Sequence, residues 1–222
     1  DGLWMETREL FGKLIPLDSQ KTFLELGPGF HVNMLSINML ETALMLSLRS
    51  IGYAPLHASG GILKKNILFA GRSGSGKSTM AYNLLQMGGK ILSDDRIFLK
   101  NHEGGTTAYS LTSHISLKEG DDPENRIFTR LHPEEAHPGS TVDHMRPEII
   151  VFSQIKEIDE HKLESISKSE AAMNLLPLTL PPGGIQDIRP VISLSRQCEC
   201  YKLSIAEGNH DLDEIIYKIV ED

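Results

Sequence analysis

The residue types and spacing at positions 71–78, Gly-Arg-Ser-Gly-Ser-Gly-Lys-Ser, are suited to binding a chain of phosphates. Glycines at 71, 74 and 76 permit backbone conformations in which successive N–H groups point inward and form a concave anion site. Lys77 supplies a cation for the outer phosphates, and Ser78 supplies a hydroxyl for Mg²⁺. This pattern is the Walker A motif G-x-x-x-x-G-K-[ST], and it predicts a nucleotide-binding loop.

The residues on either side of this loop have the periodicity that the motif requires. An apolar run at 67–70 is typical of a strand, and Met80, Leu84 and Met87 follow with helical spacing. The start of that helix adds the positive end of its dipole to the site. The predicted cofactor-binding residues are Gly71, Arg72, Ser73, Gly74, Ser75, Gly76, Lys77, Ser78 and Thr79.

Two adjacent acids, Asp94 and Asp95, follow a short predicted strand at 90–93. One carboxylate could hold Mg²⁺ while the other accepts the proton of an attacking hydroxyl. Adjacent negative charges raise at least one of the two pKa values, which suits a base. The alternative is a pair of solvated turn aspartates. His57 lies on the predicted strand before the loop strand, and its residue type alone favours a structural role over a catalytic one.

Three short segments together resemble a known family. His-Ala-Ser at 57–59, the strand at 67–71 leading into the loop, and Leu-Ser-Asp-Asp at 92–95 are similar to the C-terminal domain of HPr kinase/phosphorylase. They are more similar to HPr-kinase-like serine kinases of peptide-biosynthesis clusters, and more distantly to nucleotide-type phosphoenolpyruvate carboxykinases. The clear resemblance covers residues 50–100.

The resemblance implies a compact P-loop kinase fold of the HPr kinase/phosphoenolpyruvate carboxykinase type. It also implies transfer of the terminal phosphoryl group to a serine hydroxyl of a peptide or protein. ATP or another phosphoryl-donor nucleotide and Mg²⁺ would be the cofactors. The catalytic residues it implies are Asp94, Asp95, His57 and Lys77, and Ser78 and Asp95 are the expected metal ligands. The division of base and metal roles between the two aspartates stays open.

Two departures from the family bear on the acceptor. The signature that bifunctional members carry beyond the acidic pair has no clear copy here, and residues 1–50 are too few for their N-terminal domain. Both weigh against HPr as the acceptor and against phosphorolysis. Two alternatives remain: a kinase of free serine or another small hydroxyl compound, and a non-catalytic ATP-binding regulatory protein.

Other charged residues are weaker candidates. Phosphoryl transfer favours an arginine near the γ-phosphate, and the loop regions offer Arg126, Arg130, Arg146 and Arg189. A polar segment also gathers His132, His137, His144, Glu134, Glu135 and Asp143. Their spacing enforces no metal site, so a solvated loop is the favoured interpretation.

Alternating strand and helix patterns predict an α/β protein. We expect an N-terminal segment of strands and a helix at 1–50, with the helix at 34–49, to pack on a P-loop kinase domain at 51–222. Strands are predicted at 51–59, 66–70, 90–93, 97–99, 107–111, 148–155 and 201–205, and helices at 79–87, 171–176 and 211–220. The polar region 112–147, rich in Gly and Pro, predicts loops.

Composition narrows the classes of partner. The 222 residues carry a net charge of −8, which argues against nucleic-acid binding. No apolar run reaches the ~20 residues that a membrane helix needs, so a cytoplasmic protein is expected. Cys198 and Cys200 are expected to be buried thiols rather than half of a metal site. A homo-oligomer is expected only by analogy with related kinases.

Overall fold

A computed structural model describes residues 3–7, 10–16, 22–26, 44–45, 48–49, 51–110, 114–119, 127–179, 187–208 and 212–221. The described strands are β1 (Leu3–Thr7), β2 (Leu10–Pro16), β3 (Thr22–Leu26), β4 (Ala54–Leu56), β5 (Ala58–Ile62), β6 (Asn66–Ala70), β7 (Lys90–Ser93), β8 (Ile97–His102), β9 (Gly105–Tyr109), β10 (Ile115–Glu119), β11 (Ile127–Leu131), β12 (His144–Met145), β13 (Ile149–Lys156), β14 (Lys162–Ser165) and β15 (Glu199–Ala206). The helices are α1 (Lys77–Gln86), α2 (Pro133–Ala136), α3 (Lys168–Leu175), α4 (Arg189–Gln197) and α5 (Asp213–Glu221), and a 3₁₀ turn spans Leu176–Leu178.

The main sheet has six strands in the order β14-β15-β13-β6-β5-β7. Its centre, β15-β13-β6, is parallel. Both β14 and β5 are antiparallel to their inner neighbours, and β7 is antiparallel to β5. Because β5 reverses direction between them, β6 and β7 run the same way. The chain is therefore a mixed α/β protein, as its patterning predicts.

The central strands are apolar on both faces because both faces are covered. Ile67 and Phe69 of β6 pack with buried residues of α1 and α5, such as Met80 and Ile216. Their neighbours, such as Leu68, pack on the other face with α3, α4 and the four-stranded sheet β12-β9-β8-β4. These layers hold the ends of β6 and β7 in fixed positions.

One edge of the main sheet gathers the ends of three strands. Ala70, the last residue of β6, pairs with Ala58, the first residue of β5. Ser93, the last residue of β7, pairs with Gly60 of the same strand. The residues that come directly after β6, directly after β7 and directly before β5 therefore meet at this edge. Those residues are the loop at 71–78, called the phosphate loop below, the acidic pair Asp94 and Asp95, and His57.

Several predicted elements are confirmed and others need correction. The predicted strand 51–59 is divided at His57 into β4 and β5, which belong to different sheets. The region 112–147, predicted as loops, contains β10, β11, α2 and β12. Helix α4 and strand β14 were not predicted. Cys198 and Cys200 are free and buried, as expected.

The N-terminal part of the chain is described only in pieces. Strands β1, β2 and β3 form an antiparallel sheet within the segment where strands and a helix are expected, although the sequence did not predict their bounds. Of the predicted helix 34–49, only 44–45 and 48–49 are described, and these residues are helical. The proposed boundary at residue 50 stays a prediction.

Candidate active site

The phosphate loop connects β6 to α1 through a tight glycine turn. Gly76, directly before α1, has a φ of 92°, in the left-handed region that favours glycine. A β-carbon on Gly71 would lie 2.4 Å from Ser75 Oγ and 2.7 Å from the backbone oxygen of Ser153. The loop thus folds back against Ser75 and against the backbone of Ser153 within β13, so residue 71 has no room for a side chain.

Lys77 is buried at the start of α1, with its ammonium group turned into the loop. Its Nζ donates hydrogen bonds of 3.0 Å to the backbone oxygens of Gly71 and Arg72. Its own backbone oxygen accepts a hydrogen bond from the Ser59 hydroxyl of β5 at 3.0 Å. The cation is therefore held against the backbone of the loop.

Asp94 is buried beside the first turn of α1. Its Oδ1 accepts a hydrogen bond of 3.0 Å from Ser78 Oγ, and its Oδ2 accepts one of 2.9 Å from the backbone N–H of Ser116. Burial raises the pKa of Asp94, and these two hydrogen bonds oppose that rise. Asp94 and Ser78 together present the carboxylate and hydroxyl oxygens that Mg²⁺ prefers.

Asp95 has a different environment from its neighbour. Among the described non-glycine residues, Asp95 alone has a positive φ, of 86°. This turn of the backbone separates its carboxylate from that of Asp94. His57 Nδ1 lies 2.8 Å from Asp95 Oδ1 and 3.1 Å from the Asp95 backbone oxygen. The hydrogen bond from His57 lowers the pKa of Asp95, so this carboxylate is ionised.

The sequence grouped Ser78 with Asp95 as metal ligands. In the structure the carboxylate that Ser78 contacts is that of Asp94, while Asp95 pairs with His57. Arg96 also forms an ion pair with Asp95, in which Nε lies 3.6 Å from Oδ2. The two acids therefore have separate partners, which spacing alone could not assign.

The two-stranded sheet of β10 and β11 brings Ser116 and His114, which the sequence did not single out, close to the candidates Arg130 and His132. Ser116 of β10 lies opposite Arg130 of β11, and this places Arg130 one strand away from the group that donates to Asp94. The rings of His114 and His132, just outside this pairing, are 6.4 Å apart. Burial and the charge of Arg130 lower the pKa of His114, while Asp94 opposes the change. The alternation of Ile115 and Leu117 was the signal available for this strand.

The other candidates are dispersed. Arg126 lies outside the described residues. Arg189 forms an ion pair with Asp187 at 2.8 Å. Arg146 lies near the beginning of β6 and β13, at the edge of the main sheet opposite the phosphate loop. His144 stacks on Tyr109. Within the described ranges, no three His, Cys, Asp or Glu side chains form a metal-ligand group.

Comparisons of this chain with known proteins find similarity in structure but not in sequence. No protein-family model matches the chain, and no curated protein matches it in sequence. The structure is similar to that of the HPr(Ser) kinase/phosphatase from Coxiella burnetii, with 15% sequence identity and a TM-score of 0.45. The alignment covers 75% of this chain and 93% of that one. At that identity and score the match says nothing about activity.

The described helices bear on the expectation about membranes. Over the residues that the structure places, none of them has the length and apolar character needed to cross a bilayer.

Proposed function

We propose that the protein is a Mg²⁺-dependent kinase that transfers the terminal phosphoryl group of ATP to a serine hydroxyl of a peptide or protein. The observation that carries this proposal is the pairing pattern of the two acids. Ser78 and Asp94 form one pair beside the phosphate loop, and His57 and Asp95 form a second pair next to it. One site thus offers a phosphate cradle, a metal-ligand pair and a carboxylate that can take a proton.

The phosphate loop and Lys77 bind and orient the nucleotide in this proposal. Inward N–H groups and the start of α1 neutralise the β- and γ-phosphates. Lys77, already hydrogen-bonded within the loop, exchanges those carbonyl partners for phosphate oxygens. When bound, Mg²⁺ neutralises charge that develops on the phosphate oxygens, and Ser78 and Asp94 are the residues that would hold it.

Asp95 is the proposed base, with His57 holding its carboxylate. The serine oxygen forms a bond to the γ-phosphorus while the bond from that phosphorus to the ADP oxygen breaks. The hydroxyl proton passes to Asp95. The lowered pKa of Asp95 keeps it ionised and ready to accept the proton. This assignment gives the base role to Asp95 and the metal role to Asp94, the reverse of the expected metal ligand.

The fold family and the acceptor class belong to this proposal. A compact fold of the HPr kinase type is supported by the convergence of the loop and acidic pair within one sheet edge. A serine acceptor is supported by the sequence resemblance at 57–59, 67–71 and 92–95. Cytoplasmic location and self-association stay predictions.

The test is transfer of γ-labelled phosphate from ATP. We expect labelling within a library of serine-containing peptides, dependent on Mg²⁺ and lost in Lys77→Ala and Asp95→Asn. The exposed Lys156 and Asp159 provide matched controls, and Lys156→Ala and Asp159→Asn should retain activity. Labelling of free serine alone would support the small-molecule alternative. Binding of ATP without transfer to any hydroxyl acceptor would reject the kinase and favour a regulatory ATP-binding protein.

A further inference from the structure

A second cavity opens at the edge of the main sheet opposite the phosphate loop. Its volume is 550 Å³, within the range of sites that bind small molecules. It is lined where β6, β13 and β15 begin, at Asn66, Ile149 and Glu199. The phosphate loop follows the other end of β6, and five strand residues span about 17 Å. The cavity is therefore separate from the proposed kinase site.

Arg146 is the first of two notable charges in this cavity. Its guanidinium lies over the turn between β8 and β9. A β-carbon at Gly105 would lie 2.7 Å from Arg146 Nη2, and a β-carbon at Gly104 would lie 3.2 Å from Arg146 Nη1. Within the described residues, this guanidinium makes no hydrogen bond or ion pair. Gly104 and Gly105, which have no side chains, leave room for this guanidinium above the turn. Among the described residues, none accepts a hydrogen bond from it.

Glu148 is the second charge, and its carboxylate is held in place. Its Oε2 accepts a hydrogen bond of 2.9 Å from the backbone N–H of Asn66. The Asn66 side chain donates to the backbone oxygen of Arg146 at 2.8 Å, which ties the two segments together. A neutral N–H leaves the negative charge of Glu148 uncompensated.

The remaining charges of the cavity balance each other. Lys65 Nζ lies 3.9 Å from Glu199 Oε2 and forms an ion pair with it. Arg146 and Glu148 form no such pair with each other in the described part of the chain. Among the described residues, the cavity therefore offers an unpaired cation, which lies over Gly104 and Gly105, and an unpaired anion, which the Asn66 N–H holds in place.

We propose that this cavity binds a zwitterionic amino acid. The planar guanidinium of Arg146 suits the two oxygens of a carboxylate. Glu148 Oε1 is available for the ammonium group of the same molecule. Because the carboxylate of Glu148 is already held by the Asn66 N–H, little ordering of this side chain is needed on binding, which favours affinity. The site is independent of the phosphate loop and of the proposed acceptor serine.

The test is calorimetry with L-alanine as the probe, since alanine has no hydroxyl and cannot be a phosphoryl acceptor. We expect saturable binding to the full chain, and the same binding to the Lys77→Ala variant. Acetate and methylamine, which each carry only one of the two charges, should bind at least about tenfold more weakly.

Variants separate this site from any other. We expect Arg146→Gln and Glu148→Gln each to weaken alanine binding at least about tenfold. In Glu148→Gln the side-chain amide oxygen can still accept from Asn66, so the fold is retained and circular dichroism should be unchanged. Arg146→Lys, which keeps the charge but not the planar fork, should bind with intermediate affinity. The exposed Glu157 supplies the control, because Glu157→Gln should change nothing.

Two results would overturn the proposal. One is an absence of alanine binding up to about 10 mM. The other is binding that survives unchanged in both Arg146→Gln and Glu148→Gln. Failure of the phosphate-transfer test leaves this proposal intact, because the alanine experiment also runs on protein that lacks Lys77.

Discussion

The hydroxyl of Ser78 donates a 3.0 Å hydrogen bond to Oδ1 of Asp94, and this contact joins the first turn of α1 to the end of β7. A hydroxyl and a carboxylate that share a hydrogen bond can turn the same oxygens toward one divalent cation. The contact therefore brings together two residues that are separated in the sequence by an entire helix and strand.

Removal of either partner should weaken the use of Mg²⁺. We expect Ser78→Ala and Asp94→Asn to lower the turnover number by about 100-fold, the scale of one lost transition-state contact. The Mg²⁺ concentration needed for half-maximal activity should also rise. Steady-state kinetics over a Mg²⁺ titration measures both effects. Wild-type Mg²⁺ dependence in both variants would assign the metal to other residues.

Asp94→Asn should also change stability, in the opposite sense to activity. Burial raises the pKa of Asp94, so the folded protein holds this proton more tightly than the unfolded chain. Its contribution to stability is then largest below the ordinary pKa of aspartate and falls as the pH rises through the raised pKa.

Asparagine carries no charge, and it can still accept from the Ser116 N–H and donate to the Ser78 oxygen. We therefore expect Asp94→Asn to melt above wild type at neutral pH, and the difference to close below about pH 4. Scanning calorimetry across this pH range measures the difference. A variant that melts below wild type at neutral pH contradicts the prediction.

Loss of His57 should move the pH dependence of catalysis. The hydrogen bond from His57 Nδ1 lowers the pKa of Asp95. In His57→Phe this effect is lost, the pKa of Asp95 rises, and the acidic limb of kcat/KM should shift to higher pH. Asp95 stays ionised at neutral pH in this variant, and there we expect activity to fall about tenfold because the carboxylate is no longer held in position. If the acidic limb of the pH profile of kcat/KM does not shift, Asp95 is not the base, however much activity the variant has lost.

Lys77 should matter for nucleotide affinity more than for folding. We expect Lys77→Ala to raise the dissociation constant for ATP by about 100-fold, because a buried cation that contacts phosphate is removed. Calorimetric titration with ATP gives the constant, and circular dichroism reports on the fold. ATP affinity equal to that of wild type would mean that residues 71–78 do not form the nucleotide site.

Gly71→Ala should disrupt the phosphate loop through lack of space. The added methyl group would meet Ser75 Oγ and the backbone oxygen of Ser153 at distances below normal contact, so the loop must move away from β13. We expect loss of measurable ATP binding. Gly139→Ala, at a glycine with open space around it, should leave ATP binding unchanged. ATP binding by Gly71→Ala at wild-type strength would contradict this account of the loop.

Local patterns were enough to predict part of the site. The glycine spacing at 71–76 and the apolar periodicity on either side identify a strand, a loop and a helix. The start of α3 is set just as locally, because the Ser167 hydroxyl accepts a hydrogen bond from the Glu170 N–H at 3.2 Å. Each of these signals lies within a few neighbouring residues, where propensity and hydrogen bonding are decided locally.

Features that depend on distant pairing were not predictable in this way. The partners of Asp94 and Asp95 follow from strand order, because antiparallel β5 brings His57 to the same edge as the acids. The role of Ser116 needs the pairing of β10 with β11 inside a region whose polarity predicted loops. Helix α4 was missed although its core contacts, Val191 and Leu194, have helical spacing, because this signal is confined to a helix of 9 residues.

The pairing of β10 with β11 gives the two oxygens of Asp94 unequal surroundings. Oδ1 faces α1, which is packed into the interior, whereas Oδ2 receives its N–H from a two-stranded sheet that belongs to neither larger sheet. Separation of these two strands breaks few backbone hydrogen bonds and leaves the central ladder intact. Amide protons of β10 should therefore exchange with solvent deuterium faster than those of β6. Each such opening admits water to one side of this acid while the other side stays dry.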